Sequence, residues 1–100
     1  MSNRSRAKGL RGERDVADLF VAAGWATRGL EASGDWLAFR DGRTLAVECK
    51  RYAARARFPE WLAQAKAEAP PGVPPLLVTR ADRGEWTASL PLSDLLALLG

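Results

Sequence analysis

Cysteine is almost missing from this chain, and so are long apolar runs. The one thiol, Cys49, has no second cysteine with which to close an internal disulfide, so a disulfide-stapled scaffold is excluded and the residue reads as a small buried hydrophobe. No apolar stretch approaches the about 20 residues that a membrane-spanning helix requires, so no membrane partner is expected. The opening segment Met1-Ser2-Asn3-Arg4-Ser5-Arg6 lacks the apolar core of a secretion signal, which makes a cytoplasmic location the expectation. Internal repeats and low-complexity tracts are missing too. What is present is an apolar fraction of 47% beside a charged fraction of 27%, the balance of a folded globular protein and not of a disordered one. The 100 residues suit one compact domain spanning 1–100, long enough to bury a core and too short for two.

The dipeptide Asp41-Gly42 is a strong short-range signal for a β-hairpin. Strands over Asp35–Arg40 and Arg43–Lys50, joined by that two-residue loop, have a fixed register. Arg40 faces Arg43, Phe39 faces Thr44, Trp36 faces Val47 and Asp35 faces Glu48. Directly opposed residues hold their Cβ atoms about 4.5–5.5 Å apart, and like charges so placed destabilise the pair. A divalent cation between Asp35 and Glu48 relieves that repulsion. Lys50 lies two residues beyond Glu48 and shares its face, while Leu45, Val47 and Cys49 point the other way, into a core. Two acids and a lysine around one point have the chemistry of metal-assisted phosphodiester hydrolysis, with oxygen ligands that suit Mg²⁺, or Mn²⁺ in its place. Lys50 is then positioned to orient water or to stabilise negative charge developing on a phosphate. A one-residue bulge, or a plain turn role for Asp35 after Ser33-Gly34, takes Asp35 off the Glu48 face.

Net charge is a modest +3, but its distribution is uneven. Arg4, Arg6, Lys8, Arg11 and Arg14 precede or open the first helix, and Lys50, Arg51, Arg55 and Arg57 follow the second acid. Basic groups flank the acids on both sides in sequence, the layout for holding a polyanion such as DNA while its backbone meets a metal. The plainer alternative is a solvated charged face.

Around these residues the chain alternates between helical and extended patterns. Leu10–Ala23 reads as an amphipathic helix ended by Gly24, with Val16, Leu19, Phe20 and Ala23 on one side. Glu13 lies on that apolar stripe, where a carboxylate is costly unless partnered, although a place in the first turn also suits the helix dipole. Trp25–Gly29 reads as a first strand and Tyr52–Arg57 as a basic loop. A second helix opens at Phe58-Pro59, buries Trp61, Leu62, Ala65 and Ala69, and stops at Pro70-Pro71-Gly72. On it, Gln64 is either exposed or within reach of the acids. Strands over Leu76–Arg80 and Glu85–Leu90 follow, and Ser93 caps a short helix whose leucines cover the sheet or meet a second copy. The order helix, strand, strand, strand, helix, strand, strand, helix implies an α/β fold, a central mixed sheet flanked by helices.

Glu13, then Ser33-Gly34-Asp35, then Glu48-Cys49-Lys50, with a helix between the second acid and a later strand, resembles the PD-(D/E)XK nuclease superfamily. Within it the chain is similar to the archaeal-type and phage-encoded Holliday-junction resolvases. Lys8-Gly9, Gly12-Glu13-Arg14 and Arg28 add to the likeness, which covers roughly residues 6–80. The resemblance implies a restriction-endonuclease-like core, α-β-β-β-α-β-β-α. It implies a Mg²⁺-dependent endodeoxyribonuclease that resolves four-way junctions. Asp35 and Glu48, with the carbonyl of Cys49, would hold the metal, Glu13 would bind it directly or through water, and Lys50 would be the catalytic lysine. Ser33 would lie in a loop approaching the scissile backbone. DNA would be met by Arg4, Arg6, Lys8, Arg11, Arg14, Arg28, Arg51, Arg55, Arg57 and Gln64. Two symmetric cuts in a junction imply a two-fold homodimer, with Leu95–Leu99 and an exposed Trp86 as interface candidates. The chain departs from the pattern where Gly34 replaces the usual proline and the loop before Asp35 is collapsed, a loop that helps recognise the junction. Other branched or linear DNA therefore stays open as substrate, and so does a non-catalytic basic DNA-binding module whose acids are structural.

Overall fold

The computed structural model describes residues 3–29, 36–53 and 55–100, with side chains from Gly12 onward. Helix α1 (Asn3–Ala22) leads into β1 (Ala26–Gly29), β2 (Trp36–Arg40) and β3 (Arg43–Tyr52); α2 (Phe58–Glu68), β4 (Pro75–Ala81), β5 (Thr87–Ser89) and α3 (Leu92–Leu99) follow. Helix α1 starts well before Leu10, the first residue of its apolar stripe. The added turns hold Arg4, Arg6, Ala7 and Lys8, strong helix formers that carry no apolar periodicity to read. Its end is set by Gly24, whose φ of 95° suits a residue without Cβ. Gly24 N–H donates to the Val21 carbonyl at 3.0 Å and Trp25 N–H to that of Phe20 at 2.9 Å. The Phe20 ring meets Trp25 and Trp36 edge-on, at 5.7 and 5.3 Å between centroids, which seats the helix on the sheet.

The five strands form one mixed sheet in the order β1-β2-β3-β4-β5. The hairpin has the expected register through Trp36↔Val47, and its turn residues Asp41 and Gly42 both have positive φ, 51° and 76°, as the tight reversal requires. Strand β3 then pairs in parallel with β4, and α2 makes the crossover. Alternation along β3 divides its side chains between two layers. Leu45 and Val47 join Val16, Trp36, Ala38, Leu76 and Val78 in a core beneath α1, with Cys49 half-buried at its margin. Ala46, Glu48 and Lys50 face α2, where Ala65 and Leu77 are buried and Tyr52 packs on Phe58 and Trp61 at 5.7 Å. Both faces of the central strands are covered, as the runs Leu45-Ala46-Val47 and Leu76-Leu77-Val78 indicate.

Two local expectations are corrected. Strand β5 is shorter than Glu85–Leu90, because Trp86 turns onto the core layer and is half-buried there instead of standing exposed. Ser93 does not cap α3; the helix enters from Pro91, whose carbonyl accepts from Asp94 N–H at 3.0 Å and Leu95 N–H at 3.1 Å. Of the α3 leucines, Leu98 packs on the core while Leu92, Leu96 and Leu99 are exposed. No helix among the described residues is long and apolar enough to cross a membrane.

Leu77 is fully buried at the centre of β4. Leu77→Ala is expected to lower unfolding stability by about 2–5 kcal/mol, from lost transfer energy and the cavity left behind. Urea denaturation checks this as a fall in midpoint with an unchanged slope.

Candidate active site

Strand β3 carries Glu48 and Lys50 on one face because they are two residues apart. Helix α2 lies over that face, so Glu48 is only 6% exposed, far more buried than a carboxylate ordinarily is. Its Oε1 is 3.4 Å from the Lys50 Nζ, and the lysine side chain remains 31% exposed. The other oxygen, Oε2, is buried and accepts no hydrogen bond. The carboxyl of Glu68, from the last turn of α2, lies in hydrogen-bonding contact with that of Glu48. That contact is a hydrogen bond when Glu48 holds a proton and donates it to Glu68, and it therefore favours the neutral form of Glu48.

Burial, then the negative charge of Glu68, pushes the Glu48 carboxyl above the usual carboxylate range, and the Lys50 ammonium only partly opposes this. Glu68 is itself steered from within its helix: Gln64 Nε2 donates to Glu68 Oε1 at 3.1 Å, one turn away. The structure therefore brings together Glu48, Lys50, Glu68 and, through Glu68, the exposed Gln64.

Neither a protein-family model nor a curated protein matches this chain.

The remaining expected site residues fall in several places. Asp35 and Ser33 lie outside the described residues, as do the side chains of Arg4, Arg6, Lys8 and Arg11 on α1. Arg28 is exposed on β1 and shares the Glu48 face, since it pairs with Leu37 and Leu37 with Ala46. Arg55 and Arg57 are exposed beyond β3, where Arg57 pairs with Glu60 at 3.4 Å. Arg14 is exposed on α1. Arg51 and Cys49 belong to the α1 face of β3, opposite Lys50, although a backbone carbonyl such as that of Cys49 is not tied to its side chain's face. Glu13 is half-buried on α1, in the layer across the sheet from Glu48. Burial alone raises its pKa, and Glu48 is not among the groups acting on it.

Glu68 is the residue that sequence reasoning missed. A signal was present: a carboxylate in the last turn of a helix opposes the macrodipole, where cations are preferred, and so calls for a local reason. The oxygen donors at this point suit a hard divalent cation, and the chain has no histidine to offer a softer one. Among the described residues no three His, Cys, Asp or Glu side chains gather, so Glu48 and Glu68 are the described acids of the site.

Because the folded-state pKa of Glu48 lies above 4.5, the folded chain keeps this proton to higher pH than the unfolded chain does. That contribution to stability is whole below pH 4.5 and is lost as pH rises through the raised value. Glu48→Gln, which keeps the shape and stays neutral, is accordingly expected to melt above the unsubstituted protein at pH 8 in EDTA and together with it near pH 4. Calorimetry resolves the difference, since 1 kcal/mol moves Tm by about 4–8 °C in a domain of this size.

Proposed function

We propose that this chain is a metal-dependent endodeoxyribonuclease acting on branched DNA, with the four-way junction as its preferred substrate. The observation that carries the reading is Glu48, a carboxylate buried beside a second acid, paired to Lys50 through one oxygen and holding the other without a donor. A surface acid needs no such arrangement, and a purely DNA-binding module gains nothing from it. The element order and the antiparallel hairpin leading into a parallel partner are in keeping with a restriction-endonuclease-like core. The hairpin register through Trp36↔Val47 agrees with the ladder from which Asp35 is expected opposite Glu48.

On this reading Asp35 and Glu48, with the Cys49 carbonyl, would hold Mg²⁺. When bound, the ion supplies Lewis-acid stabilisation of the phosphate and lowers the pKa of water. Glu48 is suited to this by its unpartnered Oε2. Lys50 presents a positive charge beside Glu48, where it orients water and stabilises charge developing on the phosphate. The cover of α2 over Glu48 lowers the local dielectric and strengthens both interactions. Arg28, on the same face, and the exposed Arg55 and Arg57 beyond β3 contact DNA phosphates, an attraction that weakens steeply with salt. Two cuts in one junction require two copies, and the exposed Leu92, Leu96 and Leu99 of α3 offer an apolar surface for their pairing.

A synthetic four-way junction with Mg²⁺ tests this directly. Symmetric nicking is expected, reduced about 10²-fold or more in Glu48→Gln and in Lys50→Ala, the range seen when a preorganised charge-stabilising group is lost. Binding in a gel shift should survive both substitutions. Cleavage in EDTA, or full activity in Glu48→Gln, refutes the metal chemistry. Equal cutting of linear duplex refutes the junction preference alone.

A further inference from the structure

The face of the sheet away from Glu48 has an unusual pair of its own. Arg51 and Arg80 are register partners on the parallel strands β3 and β4, so their side chains stand side by side on the α1 face, where Gly12 of α1 approaches Arg51. Neighbouring strands are about 4.8 Å apart, and like charges set next to each other at that spacing repel. Neither arginine takes part in the ion pairs of the described residues, which join Arg40 to Asp41, Lys50 to Glu48 and Arg57 to Glu60.

Both side chains are nevertheless fixed. A Cβ at Gly12 would stand 3.2 Å from Arg51 Cδ and 3.3 Å from Trp86 Cη2, so the glycine lets helix, arginine stem and indole close together there without either side chain giving way. The Arg80 guanidinium carbon is 5.6 Å from the Trp86 ring centroid, and its Nε donates to the Gly84 carbonyl at 2.8 Å. Arg51 Nε is buried and donates to nothing. A buried N–H left without an acceptor is destabilising, and one beside a second immobilised guanidinium calls for an oxyanion.

We infer that Arg51 and Arg80, arranged around Trp86 and Gly12, form a second site that binds a phosphodiester of a nucleic-acid strand. A phosphoryl group offers oxygens to two guanidiniums at once, which the planar donor forks of arginine match. A polymer is favoured over an isolated anion because α1 carries Arg4, Arg6, Lys8 and Arg11 and no acid before Glu13. The sheet separates this position from Glu48, so the phosphate held here is not one presented to the acids. The site stands whether or not Glu48 binds a metal.

The test uses the full chain in EDTA, which removes the metal question, and follows the arginine Nε–H signals by ¹⁵N NMR. A short single-stranded oligodeoxynucleotide is expected to shift the Arg51 and Arg80 signals saturably, and NaCl of matched ionic strength is not. The charge-preserving Arg80→Lys, with an unchanged amide spectrum as proof of folding, should weaken oligonucleotide binding about tenfold, as loss of a bidentate contact implies. Signals that stay still, or that move equally with chloride, overturn the site. A response to inorganic phosphate without one to the oligonucleotide overturns the nucleic-acid ligand. Undiminished affinity in Arg80→Lys overturns the pairing of the two guanidiniums.

Discussion

A carboxyl group held under a helix is the constraint on which the rest of this structure turns. Glu48 sits on the central strand, beneath α2, with one oxygen on Lys50, the other without a donor, and a second acid in contact. Desolvation and like charge both act against the ionised form, and a single partly exposed lysine opposes them. Such a group stays neutral by holding a proton or stays ionised by sharing a cation. Those alternatives connect the packing of α2 to metal chemistry, since the same cover that makes the charge costly makes any cation placed there more effective.

The fold produces this tension by simple means. A two-residue reversal at Asp41-Gly42 sets the hairpin, a helical crossover makes β3 and β4 parallel neighbours, and alternation hands every second side chain of β3 to each layer. Val47 and Leu45 build the core with α1, while Glu48 and Lys50 are left to α2. The same alternation sends Arg51 to the far side, where it meets Arg80. One strand thus presents Glu48 to one face and Arg51 to the other, which places an acidic site and a basic one within the thickness of a sheet.

Much of this was legible from residues alone, because local rules govern it. Asp-Gly between alternating segments determines register with no tertiary help, and the observed pairs Arg40↔Arg43 through Trp36↔Val47 agree with it. The α/β order, the Pro59 helix start and the Gly24 stop follow from equally local signals. Long-range packing was not legible. The depth of Glu48 depends on how α2 lies over the sheet, and its contact with Glu68 on a crossover angle that no spacing encodes. Trp86 looked exposed because the cation–π seat beneath Arg80 and the close approach of Gly12 are tertiary facts. The early start of α1 is not legible for another reason: its first turns have helix-forming residues but no apolar stripe.

The central claim is that Glu48 is strained while it lacks a cation and relieved once it has one. Carboxyl ¹³C NMR of Glu48, titrated with pH in EDTA and again in excess Mg²⁺, measures this at the atom concerned. The account predicts a midpoint above the ordinary glutamate range without metal and a large downward displacement with it. A midpoint in the ordinary range that does not respond to Mg²⁺ contradicts it.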